Sequence, residues 1–240
     1  MEQDKALCVA DLSEIFQTSV VTIRKDLAAL EEEGLLSRTH GGAVTGAVSP
    51  QDQNYMSRKN KNRDAKLAIA TAAAELVKDG ESLFMPTGST CSYAFDFIAD
   101  KHSVIVISNS LRLFNQAATR KNVNFFFLGG RFDHELQITV GDDVMPQLSK
   151  YTVDKLIMGA DALNLNGVSS FNFVGDFVLK QMIRQSRERI LLADSSKIGK
   201  VAFAHFAELT DFDVLITNQD PATESILDEI RHLGLKVIVV

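Results

Sequence analysis

The stretch SLFMPTGSTCSYAFDFIADKHSVIVISNS, residues 82–110, decides the fold of this chain. It opens with an apolar run from Ser82 to Met85 and closes with a β-branched run from Val104 to Ile107. Between these runs, Ser92 to Ala99 carry apolar side chains at spacings of three and four, which is the pattern of a helix. Strands that are apolar on both faces and are joined by helices are typical of parallel sheets covered on both sides. The stretch therefore predicts an α/β domain.

The same alternation runs through residues 64–240. Seven short apolar runs predict strands at Ser82 to Met85, Val104 to Ile107, Asn124 to Leu128, Lys155 to Met158, Arg189 to Ala193, Val214 to Thr217 and Lys236 to Val240. The helical patterns are Ala65 to Val77, Ser92 to Ala99, Leu111 to Arg120, Asp176 to Ser186 and Thr223 to Leu233. Because helices separate strands that are buried on both faces, we predict a mostly parallel sheet with helices on both sides.

The composition limits the class of protein. The 240 residues are 45% hydrophobic and carry a net charge of -6, as expected for a soluble globular protein of one or two domains. No apolar run approaches the roughly 18 residues that a membrane span needs, and the first residues are acidic, unlike a signal peptide, so we predict a cytoplasmic protein. Cys8 and Cys91 match no zinc spacing, and the chain contains no dinucleotide-binding fingerprint and no P-loop. No metal or cofactor is therefore predicted.

The first 46 residues follow a different pattern, with two short helices in place of buried strands. The first helix spans Val9 to Phe16 and is amphipathic. Ser19 is a suitable N-cap for the second helix, which ends near Gly34. The apolar stripe of the second helix consists of Val20, Ile23, Leu27 and Leu30. Two helices joined by so tight a turn predict a helix-turn-helix, and Leu35 to Val44 predicts a wing of two short strands about a glycine tip.

The second helix presents a polar face opposite its apolar stripe. The candidate contact residues on or beside this face are Ser19, Thr22, Arg24 and Lys25. They lie near the helix N-terminus, where a recognition helix meets base edges and phosphates. The alternative is a solvated helix pair, because residues 1–48 contain four Lys and Arg against eight Asp and Glu. Spacing alone leaves both interpretations open, although the basic residues cluster at the contact face and the acidic ones lie mostly away from it.

A polar segment separates the two regions. Residues 47–63 contain Ser49, Pro50 and three asparagines and end in the basic stretch Arg58 to Arg63, which is typical of a linker. The sequence thus predicts a winged helix-turn-helix over residues 1–46, a linker over residues 47–63 and the α/β domain over residues 64–240. The basic stretch is either solvated or contacts phosphates.

Small and polar residues follow five consecutive strands of the predicted sheet. The first strand is followed by Thr87, Gly88, Ser89 and Thr90. This turn combines a glycine, hydroxyl groups and a helix N-terminus, which suits a phosphate, although an ordinary capped turn has the same composition. The later strand ends carry Asn109 and Ser110, then Gly129 and Gly130, then Asp161, and finally Asp194 and Lys197. Because ligands bind beyond the carboxyl ends of parallel strands, we predict a polar cleft in which Lys197 contacts an anion and Asp161 or Asp194 accepts hydrogen bonds from hydroxyl groups.

The N-terminal motif resembles the signature of the DeoR family of bacterial transcription regulators. The matching residues are Ser19 to Leu27, Leu30, Gly34, Arg38 and His40 to Ala43. The resemblance implies that Thr22, Arg24 and Lys25 lie at the DNA. It also implies that Arg38 and His40 of the wing reach a phosphate or the minor groove. Family members usually have another helix before the one that begins here at Val9, so we predict a winged helix-turn-helix that lacks its first helix, through truncation or a misassigned start.

Residues from about Lys66 to the end resemble the effector domain of the same family. The matching positions are Gly88, Ser89, Thr90, Asn109, Ser110, Gly129, Gly130, Gly141, Asp194, Ser196 and Lys197. The resemblance implies a fold similar to ribose-5-phosphate isomerase and coenzyme A transferases, and a domain that senses a phosphorylated sugar. The family often has acidic residues where this chain has Pro86, Gly175 and Asn218, so the identity of the sugar stays open.

The leading hypothesis is a transcription regulator, a repressor of a sugar-catabolism operon, that binds operator DNA and a phosphorylated sugar. The expected assembly is a homo-oligomer, a dimer or a tetramer. One alternative is a sugar-phosphate isomerase or transferase, but fold kinship does not establish chemistry, and Gly175 and Asp176 occupy the place of a family glutamate, so we predict that the chain is not an enzyme. A second alternative is a ligand-binding protein that has lost DNA binding.

Overall fold

The structure is a computed structural model that describes all residues except 1–6, 33–35, 40–41, 46–49 and 172–173. The chain divides into two compact units, Met1–Ser57 and Arg58–Val240. We call them the N-terminal and the C-terminal unit and describe each by itself. No described helix is long and apolar enough to cross a membrane.

The N-terminal unit has the predicted helix-turn-helix and wing. Its elements are β1 (Leu7–Cys8), α1 (Val9–Ile15), α2 (Val20–Glu32), β2 (Leu36–Thr39) and β3 (Gly42–Thr45). The three strands form an antiparallel sheet in the order β1-β3-β2. The wing prediction is confirmed, whereas β1 was not predicted. The absence of a helix before Val9 stays a prediction, because residues 1–6 lie outside the described residues.

Local sequence explains how α1 and α2 form and pack. The backbone N–H of Thr22 donates to Ser19 Oγ over 3.1 Å, which confirms Ser19 as the N-cap of α2. Leu12, Ile23 and Leu27 are buried together in a small core. The positions in α2 are four apart, so the stripe faces α1 and leaves the opposite face of α2 to solvent.

One helix crosses the boundary between the units. Helix α3 (Pro50–Asn60) begins in the N-terminal unit and ends in the C-terminal unit. It occupies most of the segment that composition predicts to be a linker, and the predicted domain boundaries remain predictions.

The C-terminal unit contains the predicted α/β domain. Its helices are α4 (Arg63–Glu75), α5 (Ser89–Ile98), α6 (Leu111–Ala117), α7 (Val144–Leu148), α8 (Asp176–Arg184) and α9 (Glu224–His232). Its strands are β4 (Ser82–Phe84), β5 (Val104–Ser108), β6 (Val123–Phe127), β7 (Arg131–Asp133), β8 (Ile138–Val140), β9 (Val153–Gly159), β10 (Ala162–Asn164), β11 (Gly167–Ser170), β12 (Ser186–Leu192), β13 (Ala204–Ala207), β14 (Val214–Thr217) and β15 (Lys236–Val239).

Seven of the described strands form one parallel sheet in the order β15-β14-β12-β9-β4-β5-β6. These are the seven strands that the apolar runs predict, so the α/β prediction is confirmed. Helices cover both faces. Ile157 of β9 packs on the face shared with α4 and α5, whereas its neighbours Leu156 and Met158 pack on the opposite face with α7 and α8, as the two-residue period of a strand requires.

Two smaller sheets lie outside the periodic pattern. Strands β7 and β8 form an antiparallel hairpin, and β10, β11 and β13 form an antiparallel sheet. They were not predicted, because each is only three or four residues long and lacks a continuous apolar run.

The order of the strands defines a switch point. From β4 the chain proceeds outward through β5 and β6, then returns to the other side of β4 with β9 and continues through β12, β14 and β15. The chain therefore diverges at the β4–β9 pair. In parallel sheets this is where a crevice opens beyond the carboxyl ends of the strands.

Candidate functional site

The carboxyl ends of β4, β9 and β12 lie side by side at the switch point. Strand spacing of about 4.8 Å puts these three ends within about 10 Å of one another. The residues that follow them are Thr87 to Thr90 after β4, Asp161 after β9, and Asp194 to Lys197 after β12. The fold thus gathers three of the five predicted strand ends around one point.

The turn after β4 leads into the N-terminus of α5. Gly88 is the N-cap residue and offers no side-chain acceptor to the first turn of the helix, so the N–H groups there remain available to an anion. A Cβ at Gly88 would lie 3.1 Å from Cys91 Sγ, so the close approach of these residues favours glycine. Thr87 and Ser89 are partly exposed, whereas Thr90 is buried.

Asp194 is held inside the protein by three partners. Its carboxylate accepts a hydrogen bond from Asn62 Nδ2 at 2.9 Å and another from the hydroxyl of Ser196, and it pairs with Lys66 Nζ at 3.3 Å. Burial by itself raises the pKa of Asp194, but the hydrogen bonds and the charge of Lys66 together lower this pKa below its ordinary value. Asp194 is 2% exposed. It is therefore placed to position the loop that follows β12.

That loop is a short 3-10 helix, Ser195–Lys197, which Asp194 caps. Asn218, the residue after β14, holds this loop in place. Its Oδ1 accepts from the Ser195 backbone N–H at 2.8 Å, and its Nδ2 donates to Ser195 Oγ at 3.2 Å. The family often has an acidic residue at this position, and the loop is ordered with asparagine in its place.

Lys197 is partly exposed and makes no ion pair within 4.0 Å in the described part of the chain. Burial lowers its pKa below the ordinary 10.5, while the charges of Asp161 and Asp194 oppose this shift. A lysine with a lowered pKa and no paired carboxylate would gain stabilisation from an arriving anion.

Asp161 lies at the end of β9 and is partly exposed. Its Oδ2 accepts from the Ser170 hydroxyl at 3.0 Å and from the Phe171 backbone N–H at 3.2 Å. Its Oδ1 lies 4.0 Å from Arg58 Nη1. Oδ2 thus accepts two hydrogen bonds, whereas Oδ1 has only the distant contact with Arg58. Oδ1 is therefore the oxygen better placed to accept a hydrogen bond from a ligand.

The remaining predicted ligand residues have structural partners. Asn109 and Ser110 are 3% and 0% exposed, so neither side chain reaches solvent. Asn109 Nδ2 donates to the Thr139 carbonyl at 2.9 Å, and Ser110 caps α6.

The two glycines after β6 also have structural partners. Gly129 exchanges two hydrogen bonds with the side-chain amide of Gln147. A Cβ at Gly130 would meet Val144 Cγ2 at 2.8 Å, so packing explains that glycine. The side chains of Asn109 and Ser110 are thus buried, whereas Gly129 is partly exposed and Gly130 is exposed.

Three residues near the site do not follow a strand and were not predicted as site residues: Arg58, Asn62 and Lys66. They come from α3, the α3–α4 junction and α4. Lys66 could have been found from sequence, because it occupies the first position of the stripe that α4 buries. The buried residues of this helix are Lys66, Ile69, Ala70, Ala73 and Ala74. A lysine on an apolar stripe needs a buried partner, and here the partner is Asp194.

The predicted DNA-contact residues in and just before α2 are each exposed. Thr22, Arg24 and Lys25 are exposed, and Ser19 Oγ lies 2.9 Å from Thr22 Oγ1. Arg38 belongs to β2, but its side chain lies outside the described residues, as does the whole of His40.

Metal binding has no candidate among the described residues. In that part of the chain, His, Cys, Asp and Glu side chains form no group of three or more that could hold a metal ion. Cys91 is buried, and burial raises the pKa of its thiol to about 12. The thiol is therefore protonated and unreactive at neutral pH.

Two protein-family models match this chain, one in its N-terminal part and one in its C-terminal part. Residues 61–219 match the model of the DeoR C terminal sensor domain, and residues 1–47 match the DeoR-like helix-turn-helix domain. The chain is 30% identical to the transcriptional repressor AccR of Agrobacterium fabrum over 100% of this chain and 93% of the relative. It is 29% identical to the HTH-type transcriptional repressor GlcR of Bacillus subtilis over 100% of this chain and 92% of the relative. It is 28% identical to the lactose phosphotransferase system repressor of Staphylococcus epidermidis over 88% of this chain and 84% of the relative.

Solved structures show more distant likenesses. Ribose 5-phosphate isomerase A of Methanocaldococcus jannaschii aligns with a TM-score of 0.40 and 23% identity, covering 57% of this chain and 55% of the isomerase. The eIF2B beta subunit of Chaetomium thermophilum aligns with a TM-score of 0.47 and 18% identity, covering 64% of this chain and 48% of that subunit. The relatives that match most of the chain are regulators and not enzymes. Both family models and the described helix-turn-helix agree, and the chain belongs to the DeoR family of DNA-binding transcription regulators.

Proposed function

We propose that this protein is a repressor of an operon for sugar catabolism that releases operator DNA when a phosphorylated sugar binds its C-terminal unit. The observation that carries the proposal is the ammonium group of Lys197 beside the switch point of the sheet, which forms no ion pair within 4.0 Å with the described residues. Two similar proteins are named as repressors, GlcR and the lactose phosphotransferase system repressor, and the second name refers to a sugar. The protein would act on DNA in the cytoplasm.

The charges at the strand ends favour an anionic ligand. Asp194 is matched by Lys66 inside the protein. Among the described charged groups at these strand ends, Asp161 then faces two cations, Arg58 and Lys197, which gives the site an excess of one positive charge. A phosphate monoester carries about −1.5 to −2 at neutral pH and would offset this excess.

The geometry suggests a place for each part of the ligand. The phosphate would bind the first turn of α5, at Gly88 to Thr90, together with Lys197. The Oδ1 atom of Asp161 would accept from a sugar hydroxyl. Asp194 would position Lys197 without touching the ligand, because its carboxylate is enclosed by protein donors.

On the DNA side, Thr22, Arg24 and Lys25 of α2 would meet the major groove, and Arg38 and His40 of the wing would reach the backbone or minor groove. By linkage, the sugar phosphate weakens DNA binding by the same factor by which DNA weakens sugar-phosphate binding. Oligomerisation through the C-terminal unit, as a dimer or tetramer, would place recognition helices about 34 Å apart or at a multiple of that distance.

The test is thermal unfolding of the full chain against a panel of pentose, hexose, hexitol and amino-sugar phosphates, with the unphosphorylated sugars as controls. A ligand at about 100 times its Kd should stabilise the protein by about 2.7 kcal/mol. Lys197→Ala should lose the phosphate-dependent shift. Lys200→Ala, which removes an exposed lysine three residues further along the same loop, should keep it. A shift that survives in Lys197→Ala would contradict the proposed site.

A further inference from the structure

The end of helix α3 contacts the first half of helix α5. Lys59 Nζ donates to Ser92 Oγ at 3.3 Å and lies 4.9 Å from the centre of the Tyr93 ring, both on α5. The residues that end α3 are therefore packed beside the helix whose N-terminus faces the proposed phosphate.

The junction between α3 and α4 is bound to the loop that carries Lys197. Asn62 has a φ of 53°, a left-handed conformation that asparagine tolerates and that separates the two helices. Its Nδ2 donates to Asp194 Oδ1 at 2.9 Å and to Ser196 Oγ at 3.2 Å. One side chain thus joins the end of α3 to the loop after β12.

Arg58 lies one turn before this junction and has a weak partner. Its Nη1 is 4.0 Å from Asp161 Oδ1, at the limit of an ion pair, and its side chain is 53% exposed. Burial is the main cause of the lowered pKa of Lys197, and the charge of Arg58 lowers this pKa further. Arg58 contacts Asp161, and Lys197 lies within electrostatic range of both residues. A guanidinium presents paired N–H groups that match two phosphate oxygens better than they match a carboxylate oxygen at this distance.

We propose that Arg58 is a second phosphate-binding residue, which leaves Asp161 and forms with Lys197 a two-cation clamp on the ligand. The proposal rests on the sugar-phosphate function proposed above and adds the helix that supplies the second cation. Because α3 begins at Pro50 in the N-terminal unit, the ligand would bind directly to the helix that leads to the DNA-binding elements. Coupling between sugar-phosphate binding and DNA binding would then pass through α3 and would not need a path through the sheet.

The probe is inorganic phosphate, titrated by calorimetry into the full chain. Arg58→Ala should weaken phosphate affinity about tenfold, because a hydrogen-bonded charge pair is lost from a half-exposed site. Arg58→Lys should recover part of this loss, since the charge returns without the paired donors. Lys61→Ala is the matched control, as it removes an exposed cation three residues away, and its affinity should stay within about twofold.

A second measurement separates binding from stability. Phosphate should slow amide hydrogen exchange in residues 50–62 of the wild-type chain and not in Arg58→Ala, while the unfolding temperature without phosphate stays the same in both. If phosphate binds in a Lys197-dependent way but equally well to Arg58→Ala, the clamp is wrong and the proposed function stands. If phosphate and the sugar phosphates bind neither the wild-type chain nor the variants, the proposed function itself fails.

Discussion

Lys66 and Asp194 form an ion pair inside the C-terminal unit, with Nζ and Oδ2 3.3 Å apart and side chains that are 5% and 2% exposed. The pair joins α4 to the end of β12. The Lys66 ammonium also donates to the Lys61 carbonyl, so the same residue fixes the end of the α3–α4 junction. The pair and this hydrogen bond thus join residues 61–66 to the end of β12, two segments that are distant in sequence.

Removing one partner of this pair should strongly destabilise the C-terminal unit. Lys66→Met leaves the Asp194 carboxylate buried without its counterion, which costs about 3–5 kcal/mol. Urea unfolding at neutral pH measures the loss. Lys121→Met, which removes an exposed lysine, should change stability by less than about 0.5 kcal/mol. Equal stability of the two variants would show that the pair contributes nothing.

Phosphate affinity should fall at alkaline pH through the titration of Lys197. Burial lowers the pKa of this lysine below 10.5, so its positive charge is present below the lowered pKa and is lost as the pH rises through it. Calorimetric titration at increasing pH should show this decline. In Lys197→Arg the guanidinium stays charged, so affinity should remain level over the same range. Parallel declines in both proteins would assign the effect to another group.

Gly167 should not tolerate a side chain. Its φ is +123°, and a Cβ there would overlap the Ala207 carbonyl oxygen and the His205 ring. Gly167→Ala should therefore destabilise the protein by about 2–4 kcal/mol through strain and overpacking. Gly80→Ala is the matched control, because Gly80 has a φ of +78° but no atom within 4 Å of its Cβ position. Strain alone should cost about 1 kcal/mol in that variant. Thermal unfolding of the pair would show the contrast, and equal losses would rule out the steric contribution.

Arg24 and Lys25 should carry much of the affinity for operator DNA. Replacing both with alanine removes two exposed cations from the face of α2 and should abolish operator retention in gel-shift assays at moderate salt. A single replacement of a phosphate-contacting residue should reduce the salt dependence of binding by about one unit of slope. Lys121→Ala, in the C-terminal unit, serves as the control for lost charge. Unchanged affinity of the double variant, with an intact far-UV spectrum, would place the DNA interface elsewhere.

Sequence pattern predicted the seven parallel strands because each contains a short run of β-branched, aliphatic or aromatic residues. In inner strands such as β5 and β14 this run is buried on both faces, whereas the edge strands β6 and β15 are partly exposed. It also predicted α2, because two signals lie within one short segment. Ser19 is the N-cap, and Ile23 and Leu27, four residues apart, form the buried stripe. The smaller sheets were missed, since β10 and β11 have only three and four residues and lack a continuous apolar run.

The sequence pattern also predicted the proposed ligand site only in part. Hydroxyls, glycines and charges after the strands marked the carboxyl edge of the sheet, and Lys197 and Asp161 lie there as partly exposed groups. The same pattern also selected Asn109 and Ser110, whose side chains serve the packing of the β7–β8 hairpin and the cap of α6. A polar residue after a strand has the same local sequence whether its partner is a ligand or the protein.

Local periodicity and capping residues, which act over a few positions, thus determined the helices, the strands and the family motif. Only the tertiary structure decided which residues meet at the strand ends. Asn62 and Asp194 are 132 residues apart, and their contact exists because β12 pairs with β9 while α4 packs over the same sheet. Contacts of such separation depend on strand order and helix packing, which are properties of the whole folded chain and leave no local trace in the sequence.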